Sequence, residues 1–395
     1  MVRFLCSGRS CAALAILMVL VAGCGTGHAH AAPAGQPRSP RPGPAPSATG
    51  IVKHGDFLTG VTCLPAGTCV AVGWYYYGAT GPSLTQAIRW NGRAWLSMPT
   101  PSHGQRSQLD DVSCATVTSC LAVGTPAEAW TGTHWSIVPR PPDGPLAGVS
   151  CPVPGLCQAT GQARGRTGPV AARWNGRVWQ AERVPRPTPV PQTLTLAAVS
   201  CATARFCMAV GDASRGAKAM PSPTYRDTTL AERWNGSRWQ IVPAPSPTHA
   251  SVFSGVSCPS PTVCVAVGSS AAGARTLAER WNGVRWTVQR TPDIGHIGYS
   301  ALTAVSCATA ASCMAVGTYN AGIFGIAEHW DGRRWTIQRL PVPPVPPGEE
   351  PLVLPVSVSC VSVTACVTVG SNQAATMAER WNGTTWTIQP SPNPA

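Results

Sequence analysis

Residues 302–337 read LTAVSCATAASCMAVGTYNAGIFGIAEHWDGRRWTI. Their skeleton is C-x5-C-x3-G followed by W-x-G-x-x-W, and it recurs seven times along the 395 residues. The cysteine pairs are Cys63/Cys69, Cys114/Cys120, Cys151/Cys157, Cys201/Cys207, Cys258/Cys264, Cys307/Cys313 and Cys360/Cys366. The tryptophan pairs are Trp90/Trp95, Trp130/Trp135, Trp174/Trp179, Trp234/Trp239, Trp281/Trp286, Trp330/Trp335 and Trp381/Trp386. Fourteen of 17 cysteines and 14 of 15 tryptophans belong to this pattern, so it organises the chain. A period near 50 residues points to a repeat architecture.

Each copy predicts four short strands. The first, Leu302 to Cys307, alternates. The second, Met314 to Val316, is continuously apolar, as a strand covered on both faces would be. The third ends at the first Trp and the fourth begins at the second. Asn-Gly stands between the two Trp in five copies and Asp-Gly in one, a strong hairpin signal. Strand alternation puts both Trp on one face whether the turn closes after two or four residues. Paired there, they would stabilise the hairpin by about 0.5–1 kcal/mol. Seven such units predict an all-β chain, a seven-bladed β-propeller. A β-solenoid or a pair of sandwiches is the alternative.

With these motifs the chain resembles secreted bacterial propeller proteins of the kelch and Asp-box type over residues 58–388. Gly-x-x-Trp, as in Gly92 to Trp95, matches the end of an Asp box, but Trp stands where that box has its Asp. The kelch double glycine is absent. The resemblance implies the fold and carries over no active-site residue.

Residues 1–24 read as an export signal, with Arg3 and Arg9 ahead of an apolar run from Ala12 to Val21. Val21-Ala22-Gly23-Cys24 resembles a bacterial lipobox, which implies lipid on Cys24. The alternative is simple secretion, with cleavage after Ala29-His30-Ala31. Residues 25–50 are rich in Pro, Ala, Gly and Ser and read as a tether. Residues 51–395 hold the repeats, near 58–100, 108–140, 145–187, 195–246, 252–292, 301–342 and 353–390. Whether residues 51–57 supply a strand that closes the ring is left open.

In an exported chain the C-x5-C pairs are expected to be disulfides. Closing so small a loop is worth about 2.4 kcal/mol in the chain-entropy account. Neither a metal nor a cofactor motif is present, since no His pattern accompanies the pairs.

In a meander blade, the turns joining strands one to two and three to four share one rim. The connections joining two to three, and blade to blade, share the other. The first set has fixed length in all seven copies and the second varies. Variable loops are where function is carried, so the variable rim is the candidate binding surface. All six tyrosines fall in it: Tyr75, Tyr76, Tyr77, Tyr225, Tyr299 and Tyr319. The unpaired Trp74 is there too, and 74–78 reads as an aromatic loop. The fourth copy adds Arg215, Lys218 and Arg226. Aromatic rings beside Arg suit sugars, peptides or anionic polymers; local packing over loop backbone is the alternative.

A Glu two residues before the first Trp recurs as Glu128, Glu232, Glu279, Glu328 and Glu379. Because it repeats, it reads as a blade-surface ion pair or hydrogen-bond partner, not a catalytic group. The net charge of +13 comes almost entirely from Arg and favours anionic partners. Nucleic acid does not suit an exported chain without a recognised binding module.

Three functions fit these readings. The first is a non-enzymatic, monomeric binding or scaffold lipoprotein outside the membrane, whose ligand is an envelope glycan, peptide or protein. The second is a glycan-acting hydrolase or lyase, with Asp212, Asp227, Asp293 and His296 as unrepeated candidate groups. The third is a purely structural envelope protein.

Overall fold

Each repeat folds as a four-stranded antiparallel meander in the computed structural model, which describes residues 53–393 apart from 78–80, 103–105, 142, 163–167, 216–225, 293–297, 344–351 and 373–374. In the sixth, the strands are Ala301–Thr309, Ser312–Tyr319, Phe324–Trp330 and Trp335–Gln338. Strand order follows chain order in all seven sheets. The second strand is the buried one: Cys313 to Gly317 have almost no exposed surface, as a strand covered on both faces requires.

The repeated residues each hold one part of this unit. All seven C-x5-C pairs are disulfides between the first and second strands, with Cα atoms 3.9–4.1 Å apart. They place the chain in an oxidising, extracytoplasmic environment. The second member of each pair lies on the covered strand: Cys69, Cys120, Cys157, Cys207, Cys264, Cys313 and Cys366 are all at most 5% exposed. These cysteines therefore belong to the core between blades and not to any surface that a ligand could reach, because the strand that carries them is packed on both faces.

The two Trp stand directly opposite each other across the third and fourth strands, as in Trp330 and Trp335. Their ring centroids lie 5.2–5.9 Å apart in every copy. The turn between them closes over four residues, Asn91 N–H donating to Ala94 O. The Asn91 side chain accepts the amides of Arg93 and Ala94, both at 2.9 Å, and Gly92 takes φ +97°. That is why Asn-Gly or Asp-Gly recurs: one side chain caps two amides and the next residue needs left-handed backbone.

The glycine four residues after each cysteine pair has a different cause. A Cβ there would run into the backbone at the start of the first strand: the carbonyl of Phe57 for Gly73, of Ala301 for Gly317, of Leu354 for Gly370. A one-residue slip in the first strand's pairing lies beside it, between Leu302 and Ala304 in blade six. The bulge turns the inner strand and only glycine leaves room for it.

The first strands, Lys53–Cys63, Gln108–Thr116, Leu146–Val153, Thr193–Thr203, Val252–Ser260, Ala301–Thr309 and Leu354–Ser362, form the inner ring. The apolar core is shared between neighbours, and each cluster joins two adjacent blades. A serine directly before the first cysteine locks the inner ring. Its Oγ accepts the N–H of the next blade's first cysteine: Ser113 from Cys151, Ser150 from Cys201, Ser200 from Cys258, Ser257 from Cys307 and Ser306 from Cys360, at 2.9–3.0 Å.

The ring closes by the same contact. Cys63 N–H donates to Ser359 Oγ at 2.9 Å, and Leu58, Val61 and Ile88 pack with Val367 and Val369. Residues 53–63 are the inner strand of the first blade itself, so no strand is exchanged between the two ends. No helix among the described residues is long and apolar enough to cross a membrane.

One expectation fails. Glu128, Glu232, Glu279, Glu328 and Glu379 are not surface residues; each is 0% exposed, and among the described residues neither carboxyl oxygen of any of them has a hydrogen-bond partner. Burial pushes their pKa up from 4.5, to about 7 for Glu128 and about 8 for the others. Thr85 of blade one and Thr276 of blade five face Glu128 and Glu328 and oppose the rise without meeting hydrogen-bond geometry. These side chains therefore point between blades. The physical reason is alternation: the Arg or His that follows four of the five Glu lies on the opposite face of the strand and cannot pair with it, and Glu128 is followed by Ala129.

Candidate functional site

At the variable rim, the ladders of individual blades run to different lengths. In blade one, the first two strands extend to Lys53 and Tyr77, so Trp74 to Tyr77 continue a strand and do not form a loop. Trp74 stands opposite Phe57 and Tyr76 opposite Gly55. Phe57 stacks on Trp74 at 4.5 Å, and Tyr76 lies 5.8 Å from Trp74 on the same face. The missing side chain of Gly55 makes room for this stack, because a Cβ there would sit 2.9 Å from both Phe57 and Tyr76. Buried Gln86 donates to the carbonyls of Phe57 and Trp74, at 3.0 Å each, and fixes the two strands beneath the rings. Tyr75 lies on the other face, opposite Asp56 and Leu84. The three stacked rings are half-buried and leave part of their surface to solvent.

Blade four carries a polar patch. Its second and third strands, Phe206–Arg215 and Arg226–Trp234, pair out to Arg215 opposite Arg226. Just below, the Ser214 hydroxyl bonds to Asp212 at 3.1 Å and to Asp227 across the ladder. The Asp227 N–H donates to the His249 carbonyl, which ties the patch to the connection leading to blade five. Arg215 and Arg226 are exposed, and Arg215 donates to the Pro189 carbonyl at 3.1 Å. Tyr225 and Lys218 lie outside the described residues, as do Asp293 and His296.

Tyr299 bridges two blades. Its ring lies over Gly273 at the tip of blade five, where φ is +87° and a side chain would collide with it. Its carbonyl accepts the Ala321 N–H at the tip of blade six. Tyr319 faces Phe324 across the same tip at 5.5 Å. The candidate residues thus share one rim but form separate patches: an aromatic platform on blade one, a charged patch on blade four and a tyrosine bridge over blades five and six. Phe57 is the member of the platform that the sequence reading missed; its place opposite an aromatic run was the available signal.

Between blades five and six a groove of about 390 Å³ is lined by Gln289, Arg290, Arg333 and Arg334. Trp330 and Trp335 form its floor, but both are buried, so guanidinium groups and not indole faces meet solvent there. Among the described residues, no group of three or more His, Cys, Asp and Glu is placed to hold a metal ion.

No protein-family model and no curated protein sequence matches the chain. Solved structures do. YCF48 from Cyanidioschyzon merolae superposes with a TM-score of 0.51 at 13% identity, over 86% of this chain and 97% of that one. A lectin from Aleuria aurantia in complex with Fucalpha1-6GlcNAc gives 0.45 at 10% identity, over 87% and 97%. A xyloglucanase from Xanthomonas campestris gives 0.43 at 13% identity, over 87% and 69%. At such identities the likeness is one of fold alone, and this chain is a seven-bladed β-propeller of four-stranded blades.

Proposed function

We propose that the chain is a non-enzymatic binding lipoprotein of the bacterial cell envelope, exported, held by lipid on Cys24, and presenting the variable rim to a glycan, peptide or protein ligand. The observation that carries this reading is the stack of Phe57, Trp74 and Tyr76, three half-buried rings set on the lengthened ladder of blade one. Aromatic platforms of this kind suit sugar rings and apolar side chains. Exposed Arg215 and Arg226 add charge selection from blade four. A glycan-acting enzyme is the second reading; Asp212 and Asp227, drawn to one serine hydroxyl, are the observation in its favour.

Glycan arrays and pull-downs from envelope fractions test the proposal, run beside Trp74→Ala/Tyr76→Ala and Arg215→Ser/Arg226→Ser variants checked for an unchanged melting profile. Loss of at least tenfold in affinity in either variant is expected, about 1.4 kcal/mol. Undiminished binding in both variants rejects the rim. Turnover of a bound glycan that disappears in Asp227→Asn favours the enzyme.

A further inference from the structure

The opposite rim, built from the fixed-length turns, has a composition of its own. Exposed Arg93, Arg177, Arg238, Arg285, Arg333 and Arg334 stand in the third-to-fourth turns, and Arg205 joins them from a first-to-second turn. The two kinds of turn touch within a blade, as Gly236 does Arg205. Asp331 is the one acidic residue of these turns. It is committed to its own turn, accepting the amides of Arg333 and Arg334 at 2.8 Å. Acids on the far side of the molecule, Asp143, Asp212 and Asp227 among them, leave this rim unopposed.

Apolar tips stand among the arginines. Val117, Val153, Val178 and Val363 are 45–48% exposed and Val284 is 82% exposed. Val117 shows why: its carbonyl accepts the Trp130 indole N–H at 3.2 Å, which fixes the backbone and leaves the side chain outside. Equal turn lengths bring all these tips to one ring. A soluble polyanion would use the guanidinium groups and leave the valines in water. A lipid interface takes both, since anionic headgroups attract the basic groups and the boundary beneath accepts the apolar tips.

We propose that the disulfide-bearing rim docks face-on onto an anionic phospholipid surface, through its arginine ring and valine tips. This surface is separate from the variable rim and stands whether or not that rim binds a ligand. The docked posture turns the variable rim away from the bilayer.

All seven sheets and the closing contact lie within residues 53–388, so a chain of residues 51–395 carries the whole ring. It also omits the apolar run at 12–21, which would bind lipid by itself. Its co-sedimentation with vesicles is measured on phosphatidylcholine containing about 30% phosphatidylglycerol and on phosphatidylcholine alone, at about 0.1 M salt. Binding to the anionic vesicles alone is expected, weakening as salt rises. Combined Arg93→Ser, Arg177→Ser, Arg238→Ser, Arg285→Ser, Arg333→Ser and Arg334→Ser should lose about a hundredfold or more, with an unchanged melting profile. Val117→Asp/Val284→Asp should lose about tenfold on vesicles and keep its affinity for dextran sulfate. Arg215→Ser/Arg226→Ser, on the other rim, should bind as the parent does. No binding to anionic vesicles, equal binding to neutral ones, or full binding by the arginine variant overturns the proposal. Retention by dextran sulfate without vesicle binding assigns the arginines to a soluble polymer and overturns it too.

Discussion

The two rims of this propeller are made by the same seven sheets and differ in what fixes them. On the disulfide rim, each turn is held by covalent and local bonds that repeat seven times, and its length never changes. On the variable rim the tips differ: blade one ends in a ring stack, blade four in a serine between two aspartates, blade six in a Tyr319–Phe324 pair. The difference teaches where the fold draws its stability. Contacts present in every copy carry it, and contacts found once are free to differ.

The hardest way to break that contrast is to reduce the disulfides. Each seven-residue loop is worth about 2.4 kcal/mol, and seven together exceed the roughly 5–15 kcal/mol by which domains are stable. A thermal melt with and without dithiothreitol should show the reduced chain unfolded or its midpoint lowered by tens of degrees. Cys307→Ala/Cys313→Ala should remove one share only. A midpoint unmoved by reduction would put the stability elsewhere.

The buried glutamates come next, and the sign is definite. Unfolded, they release protons near 4.5; folded, four of the five hold them until about 8. The folded state binds more protons across that window, so its stability is full below pH 4.5 and is lost as pH rises toward 8. A tenfold difference in proton affinity between the two states is worth about 1.4 kcal/mol, so several groups together lower stability by several kcal/mol. Melting midpoints measured from pH 5 to 8.5 should fall. Combined Glu232→Gln/Glu279→Gln should flatten the slope while leaving the disulfides intact. A midpoint that rises over this range contradicts the burial.

How much of this was legible in the sequence follows from the two periodicities. The 50-residue spacing of cysteine and tryptophan gave away the blades, the paired indoles and the bridged cysteines, because each is a contact within one repeat. Contacts between repeats leave no spacing to read. The serine before each cysteine was in plain sight in six copies, yet its partner is 38 to 58 residues onward in the interior junctions and visible only once the blades are set side by side. The glutamates mislead because an adjacent Arg suggests a pair, whereas neighbours on a strand face opposite ways. The aromatic run at Trp74–Tyr77 reads as a loop because nothing in blade one's own period announces that residues 53–57 lengthen the ladder. The candidate patches on blades four, five and six were legible only as composition; which residues converge depends on unrepeated tips.

The smallest expected effect sharpens the comparison furthest. Removing the hydroxyl in Ser200→Ala leaves the Cys258 amide unpaired between blades and should cost about 1–2 kcal/mol. The same change at Ser359 acts on the junction between blades seven and one, which no connecting chain spans. If the uniform part of the molecule is uniform all the way round, the two variants lose equally in a denaturant titration, and the double variant loses their sum because the sites share no partner. A closing junction that depends on special contacts would instead make Ser359→Ala the worse of the two. Equality means that closure rests on the repeat itself: the seventh blade meets the first with the serine that five of the six interior junctions use.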